Sequence, residues 1–132
     1  MIYYLENVCK SYDGLEVLKS VSMEIEEDKI TTIMGPSGCG KTTLLNIIAG
    51  LIPYDSGVLK NFEDKELSYL FQEPRLLPWK TIYENIEFVI LRQDKEIRKE
   101  IIKRNLELVG LWEFKDYYPH KLSGGMKQRV AI

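Results

Sequence analysis

The sequence predicts an α/β protein, and three observations carry that prediction. The first is the stretch Gly35-Pro36-Ser37-Gly38-Cys39-Gly40-Lys41-Thr42, which has the pattern G-x-x-x-x-G-K-T. The second is its flanks. Lys29-Ile30-Thr31-Thr32-Ile33-Met34 before it is β-branched and apolar, and Thr43-Leu44-Leu45-Asn46-Ile47-Ile48-Ala49-Gly50-Leu51 after it reads as a buried helix stopped by Gly50. The third is a change of period. The N-terminal segments alternate as strands do, whereas apolar residues beyond Thr81 recur at helical spacing.

Taken in order, Ile2 to Val8 alternates partially and predicts a strand. Ser11-Tyr12-Asp13-Gly14 is a turn by composition. Val17 to Glu26 predicts a second strand, with Val17, Val21, Met23 and Ile25 largely on one face. Asp28 turns the chain into the strand 29–34, which leads to the glycine loop and its helix. Pro53-Tyr54-Asp55-Ser56-Gly57 breaks regular structure, and a short strand is expected over 58–62. Glu63-Asp64-Lys65-Glu66 is a charged turn, and Leu67-Ser68-Tyr69-Leu70-Phe71 a compact apolar strand with Gln72 at its end. Pro74 and Pro78 forbid a regular ladder and a continuous helix.

Thr81, with Glu84 three residues on, predicts a capping box at the start of a helix carrying Ile82, Ile86, Val89 and Ile90. Asp94 opens the clearest helix, with Ile97, Ile101, Leu106 and Leu108 near helical spacing and Gly110 as its stop. A short aromatic stretch, 111–118, then runs to Pro119. His120-Lys121-Leu122-Ser123-Gly124-Gly125-Met126-Lys127-Gln128-Arg129 opens a last helix. The domain division expected is 1–80 as the core part, a β region with the loop strand and helix, and 81–132 as a helical subdomain.

The letters of the glycine loop have a chemical reason. A triphosphate carries several negative charges and many acceptor oxygens. Glycines let the backbone curl closely around it and turn its N–H groups inward. The following helix points the partly positive end of its dipole at the same phosphates. Lys41 is placed to reach the β- and γ-phosphates as a compact charge, and the Thr42 hydroxyl to ligate Mg²⁺, which takes few protein ligands.

Bulk properties bound the rest. The chain has 132 residues, one small domain or part of a larger one. A net charge of -2, from 18 basic and 20 acidic residues, gives no argument for a nucleic-acid surface or a polybasic membrane patch. The N-terminus lacks a signal-peptide layout, and no apolar run approaches the roughly 20 residues that span a bilayer. The expected location is therefore the cytoplasm. Cys9 and Cys39 do not make a disulfide framework. Cys39 reads either as a reactive thiol at a helix N-terminus or as an unconstrained loop position.

Four features lie in one order: Tyr12, the phosphate loop, Gln72 at a strand end, and Leu122-Ser123-Gly124-Gly125-Met126. This order resembles the ATP-binding subunits of ABC transporters, over essentially the whole chain. The resemblance implies a P-loop NTPase core with an N-terminal antiparallel β part and a helical subdomain. It implies ATP and Mg²⁺ as ligands. Tyr12 would stack on adenine. Gly35, Pro36, Ser37, Gly38, Cys39, Gly40, Lys41, Thr42 and Thr43 would hold the phosphates. Thr42 and Gln72 would touch the metal, with Lys41 and Gln72 acting in hydrolysis.

Ser123 would cap the last helix, and Gly124 and Gly125 would leave its first N–H groups uncovered as a second anion site. In the family this site faces the γ-phosphate held by another subunit, which implies a head-to-tail dimer with two ATP molecules between loop and signature.

Phe71-Gln72-Glu73-Pro74-Arg75-Leu76-Leu77-Pro78-Trp79 and Tyr118-Pro119-His120-Lys121-Leu122 are similar to importers of nitrate, sulfonate and taurine. The segment from Gln72 to Ile90 would then receive a transmembrane permease subunit. Leu76, Leu77, Pro78 and Trp79 read equally as its socket or as local core. A periplasmic or extracellular solute-binding protein would be an indirect partner, and the subunit would sit peripherally on the inner face of the membrane. No nucleic-acid partner is expected. His120 precedes the signature, so it does not match the family's switch histidine and reads as structural.

In the family, a strand ending in Asp-Glu, a D-loop and the switch histidine come after the signature helix, and C-terminal strands lie beside the loop strand. The sequence stops at Ile132, before these features. Removing a general base typically costs about 10²–10⁴-fold in rate, so the chain as written is expected to bind nucleotide and hydrolyse it poorly. Three readings stay open: part of an importer ATPase, a non-catalytic nucleotide-binding fragment, or a non-transport ABC protein. The 74–79 segment and the lack of basic patches argue against the third.

Overall fold

The computed structural model describes residues 1–62 and 67–132. The charged turn expected at Glu63-Asp64-Lys65-Glu66 lies outside the described residues. The chain forms two compact units, Met1–Tyr69 and Leu70–Ile132.

In the first unit, β1 (Ile2–Tyr12) and β2 (Leu15–Glu26) pair antiparallel, and β3 (Ser56–Lys60) pairs antiparallel with the other edge of β1. The sheet order is β2-β1-β3. Tyr12 ends β1 opposite Leu15, so the turn expected over 11–14 tightens to Asp13 and Gly14, with φ of +49° and +82°. Two positive φ angles give the turn whose twist matches that of the flanking strands.

The ladder between β1 and β2 is irregular. Asn7 and Ser20, at φ of +50° and +51°, sit where the register shifts. The Asn7 backbone N–H donates to Ser22 Oγ at 2.8 Å, and Ser20 Oγ donates to Asn7 Oδ1 at 3.0 Å. Side chains replace the ladder bonds lost at the bulge. The bulge also corrects the expected face of β2. The inward phase changes between Leu18 and Val21, so Leu18 is buried while Val17 is only half-buried.

The expected strand at 58–62 begins earlier, at Ser56. Gly57 lets it approach β1. A Cβ on Gly57 would lie 2.6 Å from the Asn7 carbonyl oxygen and 2.7 Å from that of Glu6.

Helix α1 (Lys41–Ile48) follows the glycine loop, with Ala49 as its C-cap and Gly50 (φ +68°) beyond it. Leu44 and Ile47, spaced to share a face, bury against Leu5, Val8 and Leu18 of the sheet. Tyr69 donates its hydroxyl proton to Asn46 Oδ1 on α1 at 2.8 Å.

Two expected strands are not formed. Residues 29–34 and 67–71 join no ladder among the described residues. Ile30 is 97% and Met34 87% exposed. A β-branched, apolar composition suits a strand buried on both faces. Neither segment has a neighbouring ladder among the described residues, and composition alone does not make a strand.

The second unit is helical: α2 (Ile82–Val89), α3 (Lys95–Leu108) and α4 (Gly124–Ala131), with single 3₁₀ turns at Trp112–Phe114 and Pro119–Lys121. The capping box is formed as expected. Glu84 N donates to Thr81 Oγ1 at 3.2 Å, and Thr81 N to Glu84 Oε2 at 2.7 Å. These bonds from Thr81 hold the Glu84 carboxyl below the usual carboxylate range. The next two N–H groups, of Ile82 and Tyr83, donate to the carbonyls of Tyr117 and Lys115, both at 2.9 Å. The aromatic stretch thereby satisfies donors that a helix start leaves free. Segment 70–80 belongs to this unit. Asn85 on α2 accepts from Leu77 N at 2.7 Å and donates to the Leu77, Lys80 and Thr81 carbonyls.

Asp94 caps α3 by accepting from Glu96 N at 2.9 Å. The buried stripe of α3 is Ile102 and Leu106, not the wider set read from spacing, since Leu108 is 81% exposed and Ile97 half-exposed. Val89 of α2 likewise faces solvent. Arg98 closes the α2–α3 connection, donating to the Leu91 and Gln93 carbonyls and lying 3.4 Å from Glu87. The core of this unit is Ile82, Ile102, Leu106, Leu111 and Leu122. Among the described residues, no helix is long and apolar enough to cross a membrane.

Candidate functional site

The phosphate-loop pattern folds as a tight curl between the extended segment 29–34 and α1. Its closure is made by Lys41, whose ammonium donates to the carbonyls of Gly35 at 2.8 Å and Pro36 at 2.6 Å. Lys41 opens α1, so the helix carries the cation back across the mouth of the loop that precedes it. Gly40, at φ +94°, is the N-cap and supplies no side chain to that role. No acidic residue stands in the first turn of α1. The first N–H groups of the helix therefore have no side-chain cap and no acidic neighbour in the first turn.

The sheet positions this curl. A Cβ on Gly40 would lie 2.8 Å from Leu18 Cδ2, 3.1 Å from the Val17 carbonyl oxygen and 3.2 Å from Val17 Cγ1. The loop thus rests directly on β2 with no room for a side chain. Gly35 packs as closely, since its Cβ would meet Cys39 Sγ at 2.8 Å. Pro36, Ser37, Gly38, Cys39 and Thr42 are exposed along the loop, and Thr43 is half-buried. Cys39 is a free thiol 3.6 Å from the Lys41 ammonium.

This cradle fits a polyphosphate: a lysine, a helix end that no side chain caps, and glycines where side chains would intrude. A cation has fewer donors here. Among the described residues no three His, Cys, Asp or Glu side chains converge. The exposed Thr42 hydroxyl fits a metal that takes its remaining ligands from phosphate and water.

Tyr12 stands in the same unit, at the end of β1, with 45% of its surface exposed. The Lys10 ammonium lies over its ring, 5.4 Å from the centroid. The other expected residues are in the second unit. Gln72 is exposed, and in the same loop the Arg75 guanidinium stacks on the Phe71 ring at 3.7 Å. Ser123 caps α4, accepting from Met126 N at 3.3 Å. Gly124 and Gly125 follow with open space where their Cβ atoms would be. Leu76 and Leu77 are half-buried, whereas Trp79 is 70% exposed. His120 stacks on Tyr118, with centroids 5.9 Å apart.

The profile described as ABC transporter matches residues 18–132. The chain belongs to the ABC transporter family. Relatives within the ABC family agree. The chain is 41% identical over 140 residues to an uncharacterized ABC transporter ATP-binding protein of Methanocaldococcus jannaschii, covering 97% of this chain and 52% of that protein. It is 43% identical over 123 residues to an aliphatic sulfonates import ATP-binding protein of Pseudomonas savastanoi, covering 93% and 50%. A spermidine/putrescine import ATP-binding protein of Spiroplasma citri is 39% identical, covering 99% and 41%. The chain thus spans about half the length of the curated relatives it matches.

The ABC fold is matched in three dimensions as well. A solved dimeric structure of an ATP-binding cassette in a post-hydrolysis state, bound to ADP and Pi, superposes with a TM-score of 0.85 at 32% identity, covering 99% of this chain and 67% of that one. The fold is the α/β cassette fold that the sequence predicts.

Two contributors escaped the sequence reading. Asp55, read as part of a break, bonds to the end of β1, and Asn46 bonds to Tyr69. Both contacts join residues far apart in the chain, which leave no local spacing signal.

Proposed function

We propose that this chain is the nucleotide-engaging part of an importer ATPase. In this reading residues 35–43 bind the phosphates of Mg·ATP and Tyr12 stacks on the base. Lys41 exchanges its two carbonyl acceptors for β- and γ-phosphate oxygens. The Thr42 hydroxyl and Gln72 would hold Mg²⁺, which would supply positive charge to offset that of the phosphates. Ser123, Gly124 and Gly125 present the N-terminus of α4 to the γ-phosphate held by a second subunit, giving a head-to-tail dimer. The Gln72–Ile90 segment, with Trp79 and Phe88 exposed, receives a membrane permease. The permease would hold the chain at the inner face of the membrane, and a solute-binding protein would act through it.

One observation carries the reading: a glycine curl closed by Lys41 against an α1 N-terminus that no side chain caps. The printed names of the relatives, all import or ABC ATP-binding proteins, support the importer assignment. Titration calorimetry with Mg·ATP tests it. Replacing Lys41 removes a charged donor worth about 1.5–3 kcal/mol, so Lys41→Ala should weaken binding about 10- to 100-fold with an unchanged circular dichroism spectrum. Equal affinity in the two proteins would overturn the reading.

A further inference from the structure

We propose that Asp55 and Lys10 form a positioning device for Tyr12, setting the base-binding part of the nucleotide site; this rests on the reading of Tyr12 above. Asp55 lies 43 residues beyond Tyr12 in the sequence, yet it fastens the three residues that precede that ring. Its backbone N–H donates to the Cys9 carbonyl at 2.9 Å. Its carboxylate accepts from the Ser11 backbone N–H at 2.7 Å and from the Lys10 ammonium at 2.7 Å. Cys9, Lys10 and Ser11 are thus each tied to one residue.

Ordinary strand pairing does not require this arrangement. Across the β1–β3 ladder, Cys9 pairs with Ser56, the first residue of β3, so Asp55 stands just beyond the ladder's end. The carboxylate takes over there and extends the hold on β1 toward its tip. The Lys10 and Ser11 bonds keep the Asp55 carboxyl below the usual carboxylate range.

Lys10 carries the effect to the ring. Its side chain is only 12% exposed, although lysine ordinarily keeps its ammonium in water. Asp55 fixes that ammonium, which lies over the Tyr12 ring at 5.4 Å from the centroid. A cation over an aromatic face within about 6 Å is attracted to it, which orients the ring. Tyr12 meanwhile keeps nearly half its surface in solvent. A ring tethered in this way, still open to solvent, is a pre-organised platform for a purine. Asp55 and Lys10 need not touch the ligand. They are positioning residues, and their effect should fall on the base and spare the phosphates.

The test compares two probes on the same chain, Mg·ATP and Mg·tripolyphosphate. Tyr12→Ala should weaken Mg·ATP about tenfold, as loss of a base-stacking ring does. Asp55→Asn and Lys10→Met should each weaken it about fivefold, as expected for a lost cation–π tether. All three should leave tripolyphosphate binding within about twofold. Lys10→Arg should restore most of the loss, since a guanidinium also stacks on a ring. Asp55→Asn added to Tyr12→Ala should cause no further loss, because the tether then has no ring to hold.

If Asp55→Asn and Lys10→Met weaken both probes equally, or add in full to Tyr12→Ala, the inference is overturned and the pair is merely structural. If they leave Mg·ATP untouched while Tyr12→Ala weakens it, the inference alone fails. If Tyr12→Ala is itself without effect on Mg·ATP, the assignment of Tyr12 fails and the inference with it. Should Asp55→Asn fail to fold, Lys10→Met and Lys10→Arg give the same comparison.

Discussion

Gly40→Ala should destabilise the first unit by about 2–5 kcal/mol and abolish measurable Mg·ATP binding. Two costs add. The backbone at Gly40 holds φ +94°, where an L-residue is disfavoured by roughly 1–2 kcal/mol. The new methyl would also sit 2.8 Å from Leu18 Cδ2 and 3.1 Å from the Val17 carbonyl oxygen. The leucine can rotate, but the carbonyl belongs to β2 and cannot move without disturbing the sheet. Overpacking of that kind costs typically about 1–3 kcal/mol. Relief by lifting the loop off β2 would reorient the amides that are to meet the phosphates. Urea unfolding and Mg·ATP titration of the variant measure both effects. An unchanged midpoint with unchanged affinity would show that the loop does not need its close seat on the sheet.

Ile102→Ala should destabilise the second unit by about 2–5 kcal/mol, the usual cost of emptying a fully buried aliphatic site. Ile102 has no exposed surface and packs with Ile82, Leu106, Leu111 and Leu122. These five residues come from α2, α3, the 110–112 connection and the approach to α4, so one cavity loosens every element of the unit. A loss of this size is a large share of the roughly 5–15 kcal/mol that stabilises a whole domain. Leu108→Ala is the control. That side chain is 81% exposed, and its removal should stay within about 0.5 kcal/mol. Equal losses for the two would mean that the buried stripe of α3 is misplaced.

What the sequence announced was local. The Thr81–Glu84 capping box, the Asp94 cap and the Ser123 cap each depend on residues two or three positions apart, and all three formed. The curl around Lys41 is local in the same sense, because Lys41 lies six positions beyond Gly35. The bulge in the β1–β2 hairpin was not legible. It depends on Asn7 and Ser20 meeting across the ladder, which alternation within either strand does not report. Leu18 consequently stood outside the expected face, and Val17 inside it.

The same limit explains segments 29–34 and 67–71. Their composition states a preference for burial between neighbours, and the described residues provide no ladder for it. Asp55 is the functional counterpart. A lone carboxylate after Pro53 and Tyr54 reads as turn chemistry, and only the folded chain brings it to Lys10. The apolar stripe of α3 is narrower than its spacing suggests, because Ile97 and Leu108 fall near helical spacing yet flank the buried line through Ile102 and Leu106.

The most direct measurement is amide hydrogen exchange on the chain, read by mass spectrometry with and without Mg·ATP. Amides that cradle phosphates should exchange more slowly when the ligand is bound. Exchange should slow across residues 35–44 in the wild-type protein, with no such slowing in Lys41→Ala at the same nucleotide concentration. Slowing elsewhere, with residues 35–44 unaffected by nucleotide, would contradict the claim that this loop holds the phosphates.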